Sequence, residues 1–278
     1  MKLPDLCNSM KVGRLRHIQS IHEDPELRNP DTLVRDLLPA LQRWCDAWLN
    51  SRQLRTLRED PFYYYLIART KYYDDIFTNA IRSGITLIVN IGAGSDTRAY
   101  RFAPLLRQHR VAVIECDLPA LIDVKQRLTK RFSSIEHVRY LPLDLNQCHW
   151  SSLFRELDAH ADKKCLVFME GVSPYVEASA FRQFLSMLAD KLLRDSCIAY
   201  DFKLAGIDDS FWCHNSAGTR FRLPDDTQEL SAFHARVGLS VEHFELSSDV
   251  SIRLLPHLTE APALFFYDDG LVRVRAKN

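Results

Sequence analysis

The chain has 278 residues, 46% hydrophobic and 26% charged, an ordinary globular composition with room for one large domain and an appendage. Lys+Arg and Asp+Glu both number 36, so the formal charge is zero, which argues against a chain built to coat nucleic acid or an anionic membrane and leaves room only for a local basic patch. No uncharged apolar stretch is long enough to span a bilayer, the start Met1-Lys2-Leu3-Pro4-Asp5 lacks the apolar core of a secretory signal, and seven cysteines without close pairing suit a reduced cytoplasmic protein.

Residues 1–83 read as a helical N-terminal cap. Leu33, Leu37, Leu41, Trp44 and Trp48 recur at helical spacing, and Pro39 divides the stretch into two helices. Asp31 is a candidate N-cap within Asn29-Pro30-Asp31-Thr32. Asp60-Pro61 opens another helix through Phe62, Leu66, Ile67, Tyr73 and Ile76, which Gly84 ends. From residue 85 the texture changes. Short continuous apolar runs at 85–91, 111–116, 138–141, 165–169 and 197–202 read as buried parallel strands. Helical stretches such as 118–130 and 178–193 separate them. This alternation predicts an α/β fold, a doubly wound, mostly parallel sheet with helices on both faces, over residues 84–278. A helix at 227–237 leads into a strand at 241–246, and 263–267 with 271–274 predicts a hairpin around Asp268-Asp269-Gly270. Residues 204–226, broken by Gly206, Gly218 and Pro224, form the longest irregular stretch, a candidate lid.

The chemistry gathers behind the first strand. Gly92 and Gly94 in Asn90-Ile91-Gly92-Ala93-Gly94-Ser95-Asp96-Thr97-Arg98 allow a sharp turn and close approach of a ligand. The dinucleotide fingerprint wants a third glycine, and Thr97 stands there instead, which disfavours a nicotinamide-dependent oxidoreductase. Glu115, about twenty residues past the loop at the second strand's end, is placed to accept hydrogen bonds from a ribose, with Asp117 as its substitute. Asp144 follows the third strand, where an acid can receive an adenine amino group. Glu170 follows the fourth, at the switch point where ligands bind. Several acids around one cleft suit a ligand with hydroxyl and amino donors and no phosphates, such as S-adenosylmethionine.

The run Gly92-Ala93-Gly94-Ser95-Asp96-Thr97-Arg98-Ala99-Tyr100-Arg101 resembles the GAGxDTRAYR signature of the leucine carboxyl methyltransferase-like family. Glu115-Cys116-Asp117-Leu118-Pro119, Asp144-Leu145 and Glu170-Gly171-Val172-Ser173-Pro174-Tyr175 are similar to three further elements of that family. Arg69-Thr70-Lys71-Tyr72-Tyr73-Asp74-Asp75 resembles a helix of its bacterial branch. The resemblance implies a class I S-adenosylmethionine-dependent methyltransferase with a seven-stranded sheet whose last pair makes an antiparallel edge. It implies that Arg69 pairs with the methionyl carboxylate, that Gly92 and Gly94 pack on the methionine part, and that Glu115 holds the ribose. Asp144 and Leu145 would contact adenine, and Glu170 would lie near the amino group. Tyr175 falls on the acceptor side. Arg98 is a candidate cation for an acceptor carboxylate, although an internal Asp96–Arg98 brace is an equal reading.

The segment Glu26-Leu27-Arg28-Asn29-Pro30-Asp31-Thr32-Leu33 also resembles an N-terminal element of natural-product O-methyltransferases of this group, and with the likeness to the bacterial branch that resemblance implies O-methylation of a small molecule in secondary metabolism, with a protein's terminal carboxylate as the alternative acceptor. Rival readings are an oxidoreductase on a similar fold and a catalytically silent binding protein; intact Gly92, Gly94 and Glu115 speak against the second. A carboxylate acceptor needs a cationic partner, Arg98 or Arg220. A hydroxyl acceptor needs a base such as His17, His22 or His214. No cysteine–histidine cluster has metal-ligand spacing, so no metal is expected. The aromatic run 62–65 lacks an accompanying basic stripe, so no nucleic-acid partner is expected; the charge balance and the missing span argue against a membrane partner, and no pattern sets an oligomeric state.

Overall fold

The computed structural model describes residues 3–132, 137–206, 221–258 and 264–276, with side chains from residue 9 onward. Among them lie the strands β1 (Leu87–Ile91), β2 (Ala112–Asp117), β3 (Val138–Pro142), β4 (Cys165–Met169), β5 (Cys197–Leu204), β6 (Arg222–Leu223), β7 (Leu239–Leu246) and β8 (Asp269–Ala276). They form one sheet in the order β3-β2-β1-β4-β5-β8-β7, with β6 paired to β5. The strands β1 to β5 run parallel, and β8 lies antiparallel between β5 and β7. The order reverses between β1 and β4, which opens a crevice at their carboxyl ends.

Residues alternate between the two faces of the sheet. Leu87, Val89 and Ile91 face a cluster built with α8 (Ser151–Asp158), α9 (Ala178–Lys191) and α10 (Thr227–Arg236). Ile88 faces a second cluster with α1 (Leu3–His22), α4 (Pro61–Arg82), α6 (Ala103–Gln108) and α11 (Ser247–Leu254). The helices before β1 therefore share their apolar core with the sheet. In α4, Asp60 Oδ1 accepts a hydrogen bond from Phe62 N at 2.9 Å, Pro61 needs no donor at the first turn, and Gly84 turns away at φ +90°. The aromatic run 62–65 is buried in this layer.

Three expectations are corrected. The stretch 33–37 is a 3-10 turn, and the apolar stripe of the following α2 (Ala40–Ala47) does not turn inward: Leu41 and Trp44 on it and Trp48 just beyond it are exposed. The tail is not a hairpin. Phe265 and Phe266 are buried, Phe266 stacking on Tyr65 with ring centroids 4.8 Å apart, so aromatic packing claims that segment and β8 pairs with β5 and β7. The two-residue β6 adds an eighth strand to the seven expected. Residues 207–220, which hold most of the expected lid together with His214 and Arg220, lie outside the described residues. No described helix is long and apolar enough to cross a membrane.

One buried pair sets a pH dependence for this core. His234 Nδ1 donates to Leu230 O at 2.7 Å, so its Nε2 accepts from the Tyr200 hydroxyl at 2.6 Å, and the ring is neutral. Burial lowers His234 to about 4. The native state then binds fewer protons than the unfolded chain, so this contribution is complete above the unfolded value near 6.5 and is lost as pH falls toward 4. Stability should drop by up to about 3 kcal/mol across that window. Urea titrations at several pH values should show the slope in the wild type and a flatter one in His234→Phe; equal slopes would exclude His234 as its source.

Candidate active site

The crevice is walled first by the glycine loop after β1. Gly92 has φ +72°, and a Cβ there would stand 2.3 Å from Val172 Cγ2. Gly94 has φ +37°, and a Cβ would meet Ser9 Oγ of α1 at 2.6 Å. The missing side chains let the loop after β4 and helix α1 close on either side. At the end of β2, Asp117 Oδ2 accepts from Gly94 N at 2.6 Å and Oδ1 from Leu118 N at 2.7 Å, so its carboxylate sits directly on the loop. Glu115 lies two residues further back, fully buried. It accepts from Tyr100 Oη at 2.9 Å and pairs with Lys125 Nζ at 3.0 Å. Lys125, on α7 (Pro119–Thr129), also donates to Ala93 O at 2.9 Å. Burial raises the Glu115 carboxyl above its ordinary value, and Lys125 offsets only part of this.

Glu170, just after β4, is the hub of a charge network. Arg16 of α1 pairs with it, Arg69 Nε lies 3.3 Å away, and Arg98 Nη1 donates to it at 2.8 Å. Burial alone would push this carboxyl up, but Arg16, Arg98 and Arg69 together hold it below the usual range. Arg69 also donates to Asp201 Oδ2 at 3.1 Å, and Asp201 Oδ1 accepts from Gly171 N at 2.7 Å. Burial pushes Asp201 to about 6 against the pull of Arg69. Arg98 is 1% exposed and fully engaged: Nε donates to Asp74 at 2.8 Å, Nη1 to Asp96 and Nη2 to Thr70 O at 3.1 Å. It is thus a brace tying the glycine loop to α4 and Glu170, rather than a cation left over for an acceptor.

A second group forms at the next loop. Asp144 accepts from Asn146 N at 2.9 Å and Gln147 Nε2 at 3.0 Å, capping the 3-10 turn Leu145–Gln147 in which Leu145 is buried. Asn146 Nδ2 donates to Tyr175 O at 3.0 Å, joining this turn to Ser173–Tyr175, where the Tyr175 side chain is exposed. Of the histidines considered as bases, His22 Nε2 donates to Asp46 O at 2.7 Å, and His17 is buried and lowered by that burial. Among the described residues no group of three or more His, Cys, Asp and Glu side chains is placed to hold a metal ion.

Sequence reasoning missed Arg16, Asp201 and Lys125 as site residues. Asp201 carried a signal, an acid inside the apolar run 197–202. Arg16 carried none, since it reaches Glu170 across 154 positions of chain. Chemically, the network sets guanidinium and carboxylate groups side by side, the complement of a ligand that bears both an ammonium and a carboxylate.

The sequence matches the family model described as leucine carboxyl methyltransferase over residues 15–189, well over half of the chain. A protein of Mycolicibacterium paratuberculosis, provisionally described as an S-adenosyl-L-methionine-dependent methyltransferase, is 29% identical over 177 residues, 59% of this chain and 55% of that one. A similarly described protein of Streptomyces coelicolor is 24% identical over 208 residues, 74% of this chain and 71% of that one. The chain spans about half the length of the mycobacterial relatives it matches. A crystal structure of a DUF574-family protein from Streptomyces avermitilis aligns with a TM-score of 0.57 at 10% identity, covering 95% of this chain and 96% of that one, which shows a shared fold. By the extent of the family match, the chain belongs to the leucine carboxyl methyltransferase family.

Proposed function

We propose that the chain is an S-adenosylmethionine-dependent O-methyltransferase acting on a carboxyl or hydroxyl group of a small molecule of secondary metabolism, in the cytoplasm. The observation that carries this reading is the guanidinium–carboxylate network of Arg69, Glu170 and Asp201 beside the glycine loop. The residues fit the cofactor: Arg69 Nε is buried and makes no hydrogen bond among the described atoms, although it lies within ion-pair distance of Glu170. In this reading Arg69 takes the methionyl carboxylate, and Glu170 with Asp201 takes the ammonium. Gly92 and Gly94 admit the methionine chain. The ribose hydroxyls fall to the pair Glu115 and Asp117, and the adenine to Asp144 and Leu145.

When bound, the cofactor supplies an electrophilic methyl group. The chain's own contribution is alignment and exclusion of water. Helix α1 lies across the glycine loop, where Ser95 Oγ donates to Ser9 O at 3.2 Å, and this cover favours a compact acceptor over a folded protein surface. Tyr175 is the residue on the acceptor side. A carboxylate acceptor is already ionised at neutral pH and needs no base. The free thiols Cys45, Cys116, Cys148, Cys165 and Cys197 support a reducing compartment.

Calorimetry should show binding of S-adenosylhomocysteine and none of NAD; the reverse would overturn the reading. Incubation with methyl-labelled cofactor and separate protein, tRNA and metabolite fractions should label the metabolites. Label mainly in protein would favour terminal-carboxylate methylation, and label mainly in tRNA would exclude the small-molecule acceptor.

A further inference from the structure

Helix α2 is amphipathic with its faces exchanged. Its inner side is polar: Asp46 is fully buried, accepting from Arg14 Nε at 2.8 Å and Gln42 Nε2 at 3.0 Å, while its carbonyl receives His22. Its outer side carries Leu41, Trp44 and Trp48, which are 72%, 64% and 75% exposed. These fall at i, i+3 and i+7, so they line one stripe. Exposed tryptophans in a row are costly in water, and such a stripe marks a surface that meets something else. The next helix in the chain, α3 (Ser51–Arg58), presents Arg52 and Arg55 to solvent. From Ala40 to Arg58 the sequence holds four arginines and one acid, and that acid is the buried Asp46. Arg43 pairs with Asp36 at 3.4 Å and Arg58 with Glu23 at 2.8 Å, so among the described residues Arg52 and Arg55 are the exposed charges of this segment without an ion pair, and both are positive although the chain as a whole is neutral.

From this succession of an outward tryptophan–leucine stripe and the exposed Arg52 and Arg55 we infer that the α2–α3 segment docks on the surface of an anionic lipid bilayer. Tryptophan rings sit well at the headgroup level, and arginines next to them add attraction to anionic lipid. The segment lies flat in the interface and does not span it. Two arginines are too few and too local to track a polyanion along its length, whereas a continuous apolar stripe has a natural place at the acyl boundary. The expectation of no membrane partner rested on net charge; the fold concentrates on one segment what the total conceals.

The test is sedimentation of the full chain with vesicles of phosphatidylcholine alone and of phosphatidylcholine with about one-third phosphatidylglycerol. The protein should bind the anionic vesicles at least about tenfold more tightly than the neutral ones, and added salt should weaken binding. The double variant Trp44→Glu, Trp48→Glu should lose vesicle binding by about tenfold or more. It should keep its circular dichroism spectrum, since both side chains are exposed. Arg52→Glu with Arg55→Glu should remove the preference for anionic lipid. No binding to either vesicle, equal binding by the tryptophan variant, or a wild-type dimer that this variant dissociates would each overturn the inference, the last by assigning the stripe to a second copy of the chain. Retained binding to tRNA in place of vesicles would overturn it as well.

Discussion

Replacing Arg98 with leucine should cost about 3–5 kcal/mol of stability at neutral pH, enough to unfold a marginal domain. The guanidinium stands between Asp74, Asp96 and Glu170, all at ion-pair distance, and over the rings of Tyr73 and Phe168 at 5.7 and 5.8 Å. Its loss does not fall equally on the three acids. Asp74 keeps Arg101, at 2.7 Å, and Glu170 keeps Arg16 and Arg69. Among the described residues, the hydrogen-bond donor left to Asp96 is the backbone amide of residue 98, at 2.7 Å. In the wild type, burial raises the Asp96 carboxyl, but Arg98 first and then Lys125 and Arg16 outweigh it and hold it well below the usual range. A depressed carboxyl stabilises above its unfolded value near 4 and loses that contribution as pH falls. Without Arg98 the shift reverses, Asp96 takes up a proton on acidification, and the deficit should shrink toward about pH 4. Urea unfolding of wild type and Arg98→Leu at neutral and acid pH measures this. Adding Asp96→Asn to Arg98→Leu should restore part of the loss. A deficit below about 1 kcal/mol would place Arg98 among surface ion pairs and refute the brace.

That a residue inside the family signature turns out to be a brace shows which part of the site the sequence carried. The apolar runs gave β1, β2 and β4 to within about two residues, because a strand buried on both faces leaves a continuous signal. The glycine loop and the acids after β2, β3 and β4 were likewise legible, since the crossover rule puts every strand's carboxyl end at one edge. What a local reading could not supply is partnership across the chain. Arg98 and Asp74 lie 24 positions apart, and Arg69 and Asp201 lie 132 apart. Periodicity also misplaced Leu41, Trp44 and Trp48: the 3.6-residue period finds a stripe, but here the buried face was decided by the Asp46 ion pair with Arg14 at 2.7 Å. The tail erred for a related reason, because Phe265 and Phe266 have strand-forming character and yet are buried outside any strand, Phe266 against Phe62 and Tyr65 of α4.

The same geometry divides the labour of the two acids at the end of β2. Asp117→Asn should weaken binding of S-adenosylhomocysteine by about tenfold to a hundredfold, the loss of one charge-assisted hydrogen bond, with little change in unfolding. The amide oxygen of asparagine still accepts from Gly94 N, so the loop keeps its anchor, while its NH2 cannot accept from Leu118 N and the loss of that bond costs about 1 kcal/mol. Glu115→Gln should act mainly on the fold. Glu115 neutralises Lys125, which is itself 3% exposed, and the glutamine would leave that ammonium buried with Ala93 O and no carboxylate in contact, Asp96 acting on it only at longer range. A cost of about 3 kcal/mol in urea unfolding is expected from an uncompensated buried charge. Because Lys125 holds the Ala93 carbonyl, some loss of ligand affinity should follow, but smaller than that of Asp117→Asn and recovered in part by Lys125→Met in the same chain, which removes the stranded charge. Isothermal titration of both single variants with S-adenosylhomocysteine, set beside their unfolding curves, separates the roles. If Glu115→Gln lost the ligand while keeping its stability, and Asp117→Asn bound as wild type, the ribose would belong to Glu115 and the Lys125 pair would have to open on binding.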